Sequence, residues 1–233
     1  MSNAVTLADP VLAPAAEKFP KSPEIGGLGT PYRVRQRAIV IGASTGGPQA
    51  VPIVLKGLRP AISHIPVFVV LHIPPQFTST VVEYVEKATG MPTHTARHAE
   101  EAQNGHIYMS PGDLHLAVTR IGSSVVTVLS DAPPENFCKP SVDVLFRTAA
   151  HTYGAAVIGI VLTGMGSDGL AGSRAIVEAG GAVLAQDAAT SAVWGMPRSV
   201  AQEGLAHSVL SLELIGPTAC RLLRRRTSGE TQS

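Results

Sequence analysis

Short unbroken apolar runs recur along the chain. Ala38-Ile39-Val40-Ile41 ends at Gly42, residues 65–71 end at His72, residues 156–162 end at Thr163, and residues 182–185 follow Gly180-Gly181. Runs this short and continuous predict strands buried on both faces. Between them apolar residues fall at helical spacing. A helix is expected over 48–56, opened by Pro48, because proline suits a first helical turn. Residues 78–88 carry Val81, Val82 and Val85 on one face, with Gly90 as the stop. Residues 140–152 carry Val142, Leu145, Phe146 and Ala149, residues 170–179 form another helical segment, and two more follow Pro197 and span 212–225. From 93 to 130 the pattern changes. Residues 107–110, 114–120 and 125–129 alternate or are β-branched and are separated by Pro111-Gly112-Asp113 and Gly122-Ser123, so short antiparallel strands are expected. Strand–helix alternation with this insert predicts an α/β fold: a doubly wound, mostly parallel sheet with helices on both faces and a small antiparallel hairpin insert.

The flanks differ. Residues 1–36 hold five prolines and Gly26-Gly27-Leu28-Gly29 without any apolar period, which predicts a disordered Pro/Gly-rich tail. The folded domain is expected over 37–226, with 227–233 a disordered C-terminus. Arg224-Arg225-Arg226 reads as a solvated helix end favoured by the helix dipole. A net charge of +1 gives no electrostatic reason to expect nucleic acid or an anionic membrane as a partner. No apolar stretch reaches the roughly 18 residues a membrane span needs. The first residues lack a basic segment followed by an apolar one, so no signal peptide is expected. Cys138 and Cys220 are the two cysteines, and they suggest no disulfide framework, which fits a cytoplasmic setting.

In an open parallel sheet, ligands bind outside the carboxyl ends of the strands. That rule selects three loops: Gly42-Ala43-Ser44-Thr45-Gly46-Gly47, His72-Ile73-Pro74-Pro75, and Thr163-Gly164-Met165-Gly166-Ser167-Asp168-Gly169. One brings a hydroxyl, one an imidazole and one a carboxylate, the parts of an acyl-transfer triad. Gly42, Gly46 and Gly47 are expected to clear side chains from around Ser44, and the helix behind it offers free N–H groups to an oxyanion. The pentapeptide Gly42-Ala43-Ser44-Thr45-Gly46 matches G-x-S-x-G, but a glycine-rich turn that binds phosphate or nucleotide remains an alternative. His72 stands out among the histidines because it leaves the correct strand end. His94, His98, His106, His115 and His207 are expected at the surface, and packing is the bland reading of His72 itself. Asp168 is either the partner of the imidazole or a plain helix cap, a task that Ser167 could also perform. No histidine pair shows metal-ligand spacing and no cysteine lies near one in sequence, so neither a metal nor a cofactor is expected. The order Ser–His–Asp differs from those of α/β-hydrolases, chymotrypsin and subtilisin.

These segments, with Ser110-Pro111-Gly112-Asp113-Leu114-His115-Leu116, Lys139-Pro140-Ser141-Val142-Asp143-Val144-Leu145-Phe146 and Gly195-Met196-Pro197, resemble the catalytic domain of the CheB family of chemotaxis protein-glutamate methylesterases over about residues 37–215. The resemblance implies a cytoplasmic serine hydrolase that removes methyl esters from glutamates of methyl-accepting chemoreceptors in signal transduction, with receptor glutamine deamidation as a further activity. It implies Ser44 as nucleophile, His72 as general base, Asp168 as orienting partner, and the Thr45 and Met165 amides as oxyanion donors. Trp194 and Met196 are the candidates for lining the substrate groove, with core packing as the other reading of Trp194. Family members typically carry an N-terminal receiver domain, which 36 residues cannot form, so a stand-alone catalytic domain is expected. The segment before Ser110 is shorter than the family pattern, and Leu71 stands where a polar residue often precedes the histidine. A monomer is expected. A catalytically idle signalling adaptor and an anion- or nucleotide-binding module are the competing readings.

Overall fold

The computed structural model describes residues 37–228. The expected tail over 1–36 and the last five residues lie outside the described residues.

Nine strands and six α-helices make up the described chain. The strands are β1 (Ala38–Ala43), β2 (Val67–Leu71), β3 (Thr93–Thr95), β4 (Ile107–Met109), β5 (His115–Ile121), β6 (Ser124–Ser130), β7 (Val157–Val161), β8 (Ala182–Gln186) and β9 (Ser208–Leu210). The helices are α1 (Gly47–Ile62), α2 (Thr78–Thr89), α3 (Val142–Tyr153), α4 (Leu170–Glu178), α5 (Met196–Gln202) and α6 (Leu212–Ser228). Seven strands form one sheet in the order β3-β4-β2-β1-β7-β8-β9, with every pairing parallel. β5 and β6 pair antiparallel as a separate hairpin. The expected architecture is therefore present.

Each central strand is buried along its whole length, as the unbroken apolar runs predicted. Alternate residues feed two cores. Ile39, Ile41, Val67, Val69, Ile158 and Ile160 pack under α1, α2 and α6. Val40, Phe68, Val70, Val157 and Val161 pack with residues of α3, α4, α5 and the hairpin. Gly90 takes the left-handed conformation (φ 67°) that ends α2, as its position implied.

Three expectations need correction. Residues 107–110 were expected to run antiparallel. Instead Ile107–Met109 enters the main sheet parallel to both β2 and β3, because apolar alternation reports burial and carries no strand direction. α1 does not stop at residue 56 but continues to Ile62. Gly57 there is a crossing point: an added Cβ would lie 2.9 Å from Pro217 Cδ and 3.1 Å from Gly216 Cα of α6. α6 continues to Ser228, beyond the expected end of the folded domain at 226.

Candidate active site

The chain passes from β1 outward to β2 on one side and later crosses to β7 on the other. The switch in strand order thus falls at β1, where ligands bind in such sheets. Ser44 follows β1 directly, and its N–H donates to Thr163 O at 3.0 Å, tying it to the loop after β7. His72 follows β2, and its N–H donates to Ala43 O at 3.0 Å. Ala43 pairs with Leu71, so Ser44 and His72 each directly follow the last paired position of two adjacent strands. The structure thus assembles the three strand-end loops that the sequence singled out.

His72 Nε2 donates to Asp168 Oδ2 at 2.9 Å. The imidazole is partly exposed, at 18%, while the carboxylate is 2% exposed. Asp168 caps a helix, but not the one that follows it. Its Oδ2 also accepts the Val142 N–H (2.7 Å), and its Oδ1 accepts the Asp143 N–H, the Gly169 N–H and the Ser141 hydroxyl, each at 2.9 Å. The free N–H groups that begin α3 are satisfied by this carboxylate. α4 begins instead at Gly169 with no side-chain cap, so Ser167 does not take that role. Burial pushes the Asp168 carboxyl up. The His72 hydrogen bond, the Val142 and Asp143 amides and the His72 charge outweigh it and hold the group below the usual carboxylate range. An ionised Asp168 accepts, so the hydrogen on His72 Nε2 points at it and Nδ1 is left as the basic nitrogen.

The reverse arrangement holds α4. Asp143, in the first turn of α3, accepts the Gly172 N–H at 2.7 Å through Oδ1 and the Asn136 side-chain amide at 3.1 Å through Oδ2. Each helix start therefore leans on a carboxylate from the other's neighbourhood. Burial, and then the charges of Asp168 and Glu135, push the Asp143 carboxyl up to about 6 against the pull of the Gly172 amide and Arg147.

His115 was expected at the surface but is 1% exposed. Its Nδ1 accepts the Ser141 N–H at 3.1 Å, and its Nε2 donates to Pro133 O at 3.1 Å. It fixes the backbone of the residue whose hydroxyl reaches Asp168. Its position before an alternating strand gave no sign of this, because the contact spans 26 residues.

Gly164, rather than Gly42 or Gly47, is the glycine that touches Ser44. A Cβ on Gly164 would lie 2.7 Å from Ser44 Cβ and 2.3 Å from Met196 Sδ. Gly42 lies instead under Val142 of α3, and Gly47 against Leu71 and Ala43. Among the described residues the N–H groups of Thr45 and Met165 have no hydrogen-bond partner, so both are available to a ligand oxygen. Both residues are exposed, Met165 by 77%. Trp194 is half-buried, its Nε1 donating to Gln186 O at 3.0 Å. Met196 is fully buried, which corrects its assignment to the groove: it packs behind Gly164, and its N–H holds Gly164 O at 2.9 Å.

Cys138 was read as remote from every histidine. The structure brings its Sγ, a ring nitrogen of His72 and a carboxylate oxygen of Asp168 within 4.8 Å of one another. A tight turn does this. Asn136 (φ 50°) and Phe137 (φ 64°) are both left-handed, and Glu135 and Cys138 exchange backbone hydrogen bonds across them, at 2.9 and 3.1 Å. Glu135 is clamped by both terminal nitrogens of Arg147 on α3. Burial, with the negative charges of Asp168 and Asp143, raises the Cys138 thiol to about 11. No described helix is long and apolar enough to cross a membrane.

A hydroxyl, an oriented imidazole, a buried ionised carboxylate and two free amides, all in loops at the carboxyl ends of the central strands, are equipped for acyl transfer. The comparisons with known proteins agree with that chemistry. A protein of Nitrobacter hamburgensis named protein-glutamate methylesterase/protein-glutamine glutaminase is 46% identical over 186 residues, covering 80% of this chain and 49% of that protein. One of the same name from Nocardioides is 47% identical over 207 residues, covering 89% of this chain and 54% of that protein. The chain thus spans about half the length of the curated relatives it matches. The crystal structure of the Thermotoga maritima CheB methylesterase catalytic domain superposes with a TM-score of 0.78 at 34% identity, covering 81% of this chain and all of that one. The family model described as CheB methylesterase matches residues 39–219, and the chain belongs to that family.

Proposed function

We propose that the chain is a protein-glutamate methylesterase, hydrolysing γ-methyl esters of glutamate on methyl-accepting chemoreceptors in the cytoplasm as a monomer. The observation that carries this reading is the His72–Asp168 hydrogen bond, at the end of the strand adjacent to the one that Ser44 follows. Ser44 Oγ attacks the ester carbonyl while His72 Nδ1 takes its proton. Asp168 holds the ring in the matching tautomer and stabilises the imidazolium. The oxyanion rests on the Thr45 and Met165 amides. His72 returns the proton to the departing methoxide, giving methanol, and the same base then activates water to cleave the acyl-enzyme. The same steps on a glutamine amide release ammonia, consistent with the glutaminase activity in the relatives' names. Partly exposed Trp194 borders the site through the parallel bridge between its backbone and that of Gly164, and it is the remaining candidate for touching the receptor. The test is methanol release from methylated receptor by wild type and Ser44→Ala. Release that vanishes in the variant is expected. A folded wild type inactive on several methylated receptors would overturn the reading.

A further inference from the structure

We propose that His72, Cys138 and Asp168 together form an inhibitory site for zinc or a similar soft divalent cation. The cluster supplies one nitrogen, one sulfur and one oxygen donor within 4.8 Å of one another. Tetrahedral zinc, with bonds of about 2.0–2.3 Å, needs ligands roughly 3.3–3.6 Å apart, so closure requires side-chain adjustment of about an ångström. A nitrogen–sulfur–oxygen set favours zinc over magnesium or calcium, which take oxygen ligands. The fourth position is open to water, since the imidazole reaches the surface.

The turn that carries Cys138 supports the assignment. Two consecutive non-glycine residues, Asn136 and Phe137, occupy the left-handed region, and the Phe137 side chain is fully exposed. Burial of Phe137 therefore does not drive this conformation. Its result is to set Cys138 beside the dyad, and backbone held in such a conformation clusters at functional sites. The thiol is not needed for ester hydrolysis, which uses Ser44 as nucleophile.

Binding forms a metal–sulfur bond, breaks the S–H bond of Cys138 and releases that proton to water. It also removes the base. Whichever ring nitrogen of His72 takes the metal, the other carries the ring's one remaining hydrogen, so no nitrogen is left to accept the proton of Ser44. Hydrolysis stops whatever the substrate.

The inhibition rests on the esterase reading, whereas the binding does not, and the experiment separates them. Tag-free wild type, Cys138→Ala, Cys138→Ser and Cys220→Ala are titrated with Co²⁺, following the thiolate-to-cobalt charge-transfer band and its loss on adding Zn²⁺. A saturable band at one equivalent is expected for wild type and Cys220→Ala, and none for either Cys138 variant. Absence of the band in wild type, or its persistence in the Cys138 variants, overturns the site. Methanol release is then measured across chelator-buffered Zn²⁺. Measured against its own zinc-free rate, each Cys138 variant should need about 10- to 100-fold more zinc than wild type for half-inhibition. Equal zinc sensitivity of wild type and Cys138 variants refutes the inhibitory role. A wild type that is inactive even without zinc refutes the esterase reading and leaves the cobalt titration to judge the site.

Discussion

Replacing Gly164 by alanine tests whether the position of Ser44 is set by backbone contact. The backbone of Gly164 cannot yield easily. Its N–H donates to Val193 O at 2.9 Å, and its carbonyl accepts from Gly195 at 3.0 Å and Met196 at 2.9 Å. The new Cβ would meet Met196 Sδ at 2.3 Å, Ser44 Cβ at 2.7 Å and Ser44 N at 3.1 Å. Non-bonded carbons settle at about 3.5–4.0 Å, so Ser44 must retreat by about an ångström or the thioether must swing away. Overpacking of this kind costs about 1–3 kcal/mol of stability. Displacing a nucleophile by about 1 Å costs about 10²-fold in rate. The two effects have different sources, which the Gly164→Ala/Met196→Ala double variant separates. Removing the thioether relieves the first clash and leaves the second. The assay is kcat on a small chromogenic ester, with thermal unfolding on the same samples. Gly164→Ala should lose about 10²-fold in kcat with KM little changed, and the double variant should stay as slow although its clash with residue 196 is gone. A folded Gly164→Ala with near wild-type kcat, or a double variant that regains kcat, would refute the reasoning.

Two other outcomes follow from the carboxylates. Asp168→Asn places an amide nitrogen where a donor-only set of neighbours converges, so it should lower kcat by about 10³–10⁴-fold. It should also lower stability by about 1–3 kcal/mol through one orphaned N–H at the start of α3, and an unchanged urea midpoint would contradict the capping role. Asp143, raised to about 6 by burial first, binds its proton more tightly folded than unfolded, where the value is about 3.9. Its contribution is present in full below about pH 4 and is lost as pH rises through about 6, an effect of about 2–3 kcal/mol. Asp143→Asn cannot titrate, so the wild-type advantage over it should shrink by that amount between pH 4 and pH 7 in urea unfolding. Parallel profiles would exclude Asp143 as the titrating group.

The parallel core and the strand-end loops were legible because burial on both faces writes an unbroken apolar run, and such runs end where ligands bind. Ser44, His72 and Asp168 could thus be picked out as strand-end chemistry from the sequence alone. Three-residue strands such as β3 and β9 are too short to show a period, and β4 showed burial without direction. The surroundings of Asp168 were not legible. Ser141 and Cys138 reach it, and His115 holds Ser141, only because the start of α3 packs over β1, a tertiary contact with no local signature. The burial of Met196 was hidden for the same reason, since it depends on the bare Cα of Gly164.

Asp168 and Asp143 each close the other's helix, so one of the three chemical groups is also a keystone of the architecture. The others are not: Ser44 and His72 sit at strand ends, held by main-chain bonds that any side chain could keep. Descent with loss of catalysis should therefore be uneven. A lineage released from selection for hydrolysis could shed the hydroxyl and the imidazole at little structural cost, while the aspartate would persist as a fossil of the reaction. For the same reason a designer seeking a new activity on this scaffold is free to rewrite the ends of β1 and β2, and should leave the carboxylate after β7 in place.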